Sequence, residues 1–181
     1  MGGGILNKTL RAPAILLFFT MLTLGLLHLP IKTGFAETDE ENLESVNRLY
    51  GLFAPKTTEI TVTGLLELQK TNRVILVDNR TRKERDVSMI PGAIDEALFE
   101  ERIEDYRTDA IVVYCTIGVR SGRYVKRLIK DGYDAYNLKG GILAWAHAGG
   151  RFVDKTGKET RRVHVYGKRW NLLPKGYEGI W

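Results

Sequence analysis

Four consecutive β-branched or aromatic residues, Ile111-Val112-Val113-Tyr114, run into a short polar loop and then into Tyr124, Val125, Leu128 and Ile129 at helical spacing. An unbroken apolar run of this kind marks a strand covered on both faces, and such strands lie in parallel sheets flanked by helices. The junction holds the only cysteine of the chain, Cys115, followed by Thr116-Ile117-Gly118-Val119-Arg120 and then Ser121, whose hydroxyl predicts a helix N-cap. A loop folded over a helix N-terminus aims several backbone N–H groups into one small space, and the helix dipole adds partial positive charge there. Such a nest suits an anion. Beside the Arg120 guanidinium it favours the thiolate of Cys115, a nucleophile near neutral pH. A cysteine ending a buried strand is most often only a small core residue; Gly118 two residues before Arg120 is what the core reading leaves unexplained.

The rest of the chain supplies a sheet for this strand. Short apolar runs at residues 60–62, 73–78 and 134–138 predict further strands, and residues 64–69, 96–106 and 121–130 predict helices between them, the last closing at Asp131-Gly132. Strand and helix alternate, which predicts a three-layer α/β domain with a parallel sheet of four to five strands over residues 60–150. Cys115 then sits at a strand's C-terminal end, where open α/β sheets bind ligands. Residues 37–59 predict an N-terminal helix and a connector: Thr38-Asp39-Glu40-Glu41 is a capping box, Leu43, Val46, Leu49 and Tyr50 share a face, and Gly51 is read as the stop. Residues 151–181 predict a basic and aromatic C-terminal extension, in which residues 152–153 and 163–166 flank the turn Asp154-Lys155-Thr156-Gly157 as a hairpin tail. Its aromatics are expected to pack back on the domain, with Trp145 in the core and His164 a strand residue rather than a base.

Charge excludes one class of partner. The formal charge of +5 falls to +2 without residues 1–36, which carry Lys8, Arg11 and Lys32 and no acid, so no nucleic-acid partner is expected. Residues 1–36 read as an export signal: a basic start, an apolar run from Ala14 to Leu27, then Pro30 and the small residues Gly34 and Ala36. The expected location is periplasmic or otherwise exported. The alternative is an anchor in the plasma membrane facing outward, so a membrane is a partner only if residues 1–36 stay uncleaved.

Cys115 to Ser121 resembles the C-x-x-G-x-R-S active-site loop of single-domain rhodaneses, the thiosulfate sulfurtransferases. Three further segments agree with that family in order. Asp78 to Glu84 is similar to D-x-R-x-x-x-E, Ile90-Pro91-Gly92-Ala93-Ile94 to I-P-G-A-I, and Leu138 to Trp145, with Gly140-Gly141, to L-x-G-G-x-x-x-W. Arg85, Ser88 and Met89 depart from it, since the family usually has an aromatic after the Glu and Gly-His before the Ile. Six residues from Cys115 through Arg120 match the sulfurtransferase loop, one fewer than in phosphatase relatives. The resemblance implies a rhodanese-like fold, Cys115 as the catalytic nucleophile, and a small sulfur-containing anion held by Thr116, Ile117, Gly118, Val119, Arg120 and Ser121. It implies Asp78, Arg80, Glu84, Gly140 and Gly141 as structural support, no metal and no cofactor, and a thiol protein as a candidate acceptor. A non-catalytic or sulfur-carrying module of the same fold that docks a periplasmic partner is the alternative.

Overall fold

The computed structural model describes Met1 and residues 38–181, so the export signal or anchor expected over residues 1–36 lies outside the described residues. Among the described residues no helix is long and apolar enough to cross a membrane. The first described helix, α1 (Asp39–Phe53), starts on the expected capping box: Glu41 N–H donates to Thr38 Oγ1 at 3.2 Å and Thr38 N–H to Glu41 Oε2 at 2.9 Å. It runs through Gly51 rather than stopping there. An interior glycine costs a helix only ~1 kcal/mol, whereas Pro55 forces its predecessor Ala54 out of helical geometry.

Then come β1 (Glu59–Ile60), α2 (Val62–Thr71), β2 (Val74–Asp78), α3 (Arg82–Val87), β3 (Ile94–Asp95) and α4 (Glu96–Glu101). A 3₁₀ turn (Ile103–Tyr106) leads to β4 (Ala110–Tyr114), followed by α5 (Val119–Lys130), β5 (Ala135–Leu138) and α6 (Gly141–His147). Val62 belongs to α2 and not to the first strand, because the Thr61 hydroxyl caps the helix by accepting from Gly64 N–H at 3.0 Å. The predicted helix over residues 96–106 divides into α4 and the 3₁₀ turn.

The sheet has five strands in the order β1-β5-β4-β2-β3, all parallel. Successive side chains of a strand point to opposite faces, and β4, buried along its whole length, feeds two cores. Val112 and Tyr114 join Leu76, Leu138, Val46, Leu65, Ile142 and Leu143 on one face. Ile111 and Val113 join Val77, Ala135, Phe99, Tyr124, Val125 and Leu128 on the other. Each such side chain contributes roughly 1.5–3 kcal/mol, which fixes the height of β4 and hence the place of Cys115. This is the three-layer α/β architecture expected from the alternation.

The C-terminal extension departs from its predicted register. β6 (Phe152–Val153) pairs antiparallel with β7 (Glu159–Thr160), so the hairpin is present but closes on nearer residues than 163–166. The turn dictates this: Asp154 Oδ1 accepts from Thr156 N–H at 2.8 Å and Lys158 N–H at 3.1 Å, and Asp154 N–H donates to Lys158 O at 2.8 Å. β8 (Arg162–His164) instead pairs in parallel with β9 (Glu178–Ile180). Val163, Val165, Leu172 and Leu173 pack into the first core, and Tyr177 meets Phe152 edge-on at 5.9 Å. Trp145 is half-buried rather than enclosed, because its indole N–H donates to Arg151 O at 2.9 Å.

Candidate active site

Cys115 ends β4 and is 2% exposed. The loop turns over it and delivers Gly118 N–H to its Sγ at 3.2 Å. Gly118 makes this turn at φ +100°, a left-handed conformation that a side chain resists, and it is the N-cap of α5. Ser121 is therefore not the cap. It lies inside the first turn, buried, with its hydroxyl donating to Asn137 Oδ1 at 2.7 Å. The helix starts two residues early because glycine supplies the turn that a capping serine would otherwise stabilise.

Burial pushes the Cys115 thiol up, yet hydrogen bonding from Ser121 through hydroxyl and N–H, the Arg120 charge and Gly118 N–H together hold it below its ordinary value. The single Ser121 hydroxyl proton cannot serve both Sγ and Asn137 Oδ1. The N–H groups of the helix start and Arg120 are thus the contributors that do not depend on which way that hydroxyl turns.

Arg120 is bidentate on Glu84, Nη1 to Oε2 at 2.8 Å and Nη2 to Oε1 at 2.6 Å, and its Nη2 also donates to Thr116 Oγ1 at 3.2 Å. Desolvation raises the Glu84 carboxyl, but hydrogen bonds from Arg120 and Thr81 outweigh it and push it down to about 2. Glu84 does more than support a wall. It pairs with the guanidinium beside Cys115, while its own Oε2 accepts from Thr81 N–H and Oγ1 as the capping box of α3. Asp78 and Arg80 form a second, fully buried pair, Nε to Oδ1 at 2.9 Å and Nη2 to Oδ2 at 2.7 Å, with Tyr114 OH donating to Asp78 Oδ2 at 2.7 Å. Neither lines the cleft over Cys115.

Gly140 and Gly141 lie beside the cysteine loop. A Cβ on Gly141 would stand 2.3 Å from the Cys115 carbonyl oxygen. Without one, the start of α6 clamps the loop through Ile142 N–H to Cys115 O at 3.0 Å and Leu143 N–H to Thr116 O at 3.3 Å.

Six contributors, Arg123 among them, escaped the sequence reading as site residues. Asn137 on β5 donates through Nδ2 to Gly118 O at 2.9 Å and to Tyr50 OH at 3.2 Å. Tyr50 of α1 in turn donates to Glu59 Oε2 at 2.7 Å, and a Cβ on Gly118 would strike its ring at 2.6 Å. A polar residue inside the buried run Ala135-Tyr136-Asn137-Leu138 was the available signal for Asn137. Phe53 at the end of α1, and Tyr166 and Trp170 of the extension, wall a cleft of ≈ 330 Å³ over Cys115 together with Ile117, Val119, Arg120 and Arg123. His164 is a buried strand residue whose Nδ1 accepts from Tyr166 N–H at 3.1 Å. Among the described residues no cluster of His, Cys, Asp and Glu has the makings of a metal site.

Comparison with known proteins agrees with this geometry. A model of the rhodanese-like domain matches residues 61–148. A sulfurtransferase of Allochromatium vinosum is 40% identical over 86 residues, covering 45% of this chain and 80% of that protein. A tRNA uridine(34) hydroxylase of Acinetobacter baylyi is 32% identical over 89 residues, covering 44% of this chain but only 28% of that enzyme. The thiosulfate sulfurtransferase of Pseudomonas aeruginosa shares the fold, with a TM-score of 0.50 at 18% identity, over 68% of this chain and 25% of that one. The chain belongs to the rhodanese-like domain family.

Proposed function

We propose that this protein is an exported sulfurtransferase that moves a sulfane sulfur through a persulfide on Cys115. Sulfur transfer is the general chemistry that family membership and the Allochromatium relative support; thiosulfate as donor, the persulfide and export are finer steps of our own reading. The observation that carries it is Gly118 N–H donating to Cys115 Sγ at 3.2 Å at the start of α5, an arrangement that favours the thiolate. The Cys115 thiolate attacks the outer sulfur of thiosulfate, the S–S bond of the donor breaks, and sulfite leaves with the bonding pair. The terminal sulfur of the resulting persulfide takes the place of the anion among the loop N–H groups of residues 116–121, with Arg120 beside it. An acceptor nucleophile, cyanide or a thiolate, then attacks that outer sulfur, and the pair of the broken bond returns to Cys115 Sγ. No cofactor takes part in this scheme. Asp78 and Arg80 act on it only by holding the wall of the pocket.

Mass spectrometry after exposure to thiosulfate tests the reading. One added sulfur on Cys115, absent in Cys115→Ser, is expected, and an unmodified cysteine would refute it. A sulfur-carrying module is the second reading, favoured by the apolar mouth of the cleft: it would load from thiosulfate yet turn over little cyanide. Export rests on the composition of residues 1–36, and the N-terminal sequence of the mature protein tests it.

A further inference from the structure

We propose that the cleft over Cys115 docks a cysteine-bearing segment of an acidic protein, which exchanges sulfur with Cys115; the inference rests on the sulfur-transfer reading and names its macromolecular partner. An inorganic sulfur anion needs only the loop N–H groups and Arg120. At roughly 30 Å³ per water-sized group, its five heavy atoms fill less than half of the ≈ 330 Å³ available. Phe53, Tyr166 and Trp170 make much of the remaining wall aromatic, and part of it is exposed. Phe53 is 57% exposed, its neighbour Leu52 69%, and Tyr166 64%.

Tyr166 is the sole non-glycine residue at positive φ among those described, at +71°. A side chain resists that conformation, and here it keeps an exposed aromatic ring 5.6 Å from the Arg120 guanidinium at the lip of the cleft. A small anion gains nothing from these side chains. A polypeptide segment covers them, and aromatic and arginine side chains around a central apolar pocket are the composition that carries protein interfaces.

The charge around the cleft specifies the partner's sign. Among the described residues no carboxylate lines it. Helix α5 carries Arg120, Arg123, Lys126, Arg127 and Lys130 and no acid; Glu84 answers Arg120, and Glu96 answers Arg127 at 3.7 Å. Arg123, at the cleft, is exposed and has no ion-pair partner among the described residues, and the same holds for Lys168 and Arg169, between the two cleft aromatics Tyr166 and Trp170. Three unanswered cations around an aromatic mouth complement an acidic surface that presents an apolar residue beside its thiol.

Two peptides with the same central Leu-Cys-Phe test this on the full chain, one otherwise rich in Asp and Glu, the other with those positions replaced by Lys. The acidic peptide should discharge the Cys115 persulfide about tenfold faster at low salt, with the advantage shrinking as salt rises. Charge reversal in Lys168→Glu/Arg169→Glu should remove the preference and leave loading from thiosulfate unchanged. Equal rates for the two peptides, or a preference that survives the reversal, would overturn the proposal. Binding of the corresponding Ser peptides, followed by fluorescence anisotropy, reads docking without any chemistry. A protein that never forms a persulfide but binds the acidic Ser peptide selectively would sink the sulfur-transfer reading alone. One that loads but binds both peptides equally, or binds an RNA oligonucleotide more tightly than the acidic peptide, would sink the docking proposal alone.

Discussion

The floor of the Cys115 cleft and its rim come from different parts of the chain and obey different rules. The floor is backbone: Gly118 N–H, the first turn of α5 and the start of α6 are locked by glycine conformations and by hydrogen bonds at 3.0–3.3 Å to the loop carbonyls. The rim is side chain, and Phe53, Tyr166 and Trp170 all lie outside residues 61–148, the part matched by the rhodanese-like model. A floor set by main-chain geometry tolerates almost no substitution, whereas an exposed rim can change without touching the fold. The difference teaches that chemistry and partner choice are separable in this molecule, and mutations can test that separation from either side.

The floor should give the largest effect. Gly141→Ala puts a Cβ 2.3 Å from the Cys115 carbonyl at a φ of +54°, and a loss of about 4 kcal/mol or more, read by denaturant unfolding, is expected with no sulfur loading. Asn137→Ala comes next. It removes partners from Gly118 O, Ser121 Oγ and Tyr50 OH at once, and a loss of about 2–3 kcal/mol is expected, with Asn137→Asp failing to rescue because it cannot donate to Gly118 O.

Glu84→Gln, between floor and rim, should cost about 1–2 kcal/mol, below the cost for a fully buried pair because Arg120 is partly exposed. It should also make the Cys115 thiol more acidic, since Arg120 keeps its charge and loses its carboxylate. The wild-type pair carries a pH signature. Glu84 is depressed from the ordinary carboxylate value of 4.5 to about 2, so its contribution to stability is complete above pH 4.5 and is lost as pH falls toward 2. The variant's stability should approach that of the wild type over that window. The smallest effect belongs to the rim: Phe53→Ala should change stability by no more than ~0.5 kcal/mol while slowing transfer to thiol peptides. A large loss of stability there would show that rim and floor are one unit.

Much of the floor was legible in the sequence because its signals are local. A buried β-branched run ending in cysteine, a glycine, an arginine and a helix face are all contiguous, and paired glycines mark the second close approach. The five-stranded parallel sheet followed from the same periodicity. Competition between neighbouring signals was less legible. Ser121 reads as a cap until Gly118 starts the helix early, and Gly51 reads as a stop until Pro55 supplies a stronger one. Placements that join distant segments were not legible at all: Glu84 with Arg120, Asn137 with Tyr50, and Phe53 in one cleft lining with Tyr166 and Trp170 depend on how helices land on the sheet. The hairpin register went astray for a related reason, since Val163 and Val165 gain more in the core than as strand partners of residues 152–153.

The central claim is that the loop and Arg120 make the Cys115 thiol more acidic than an ordinary one despite its burial, and titration of the thiol tests it most directly. The rate of iodoacetamide alkylation, followed by mass spectrometry across pH, reports the thiolate fraction of the one cysteine in the chain. The account predicts a midpoint below the ordinary thiol value of about 8.5, rising in Arg120→Ala. A midpoint at or above that value would contradict it.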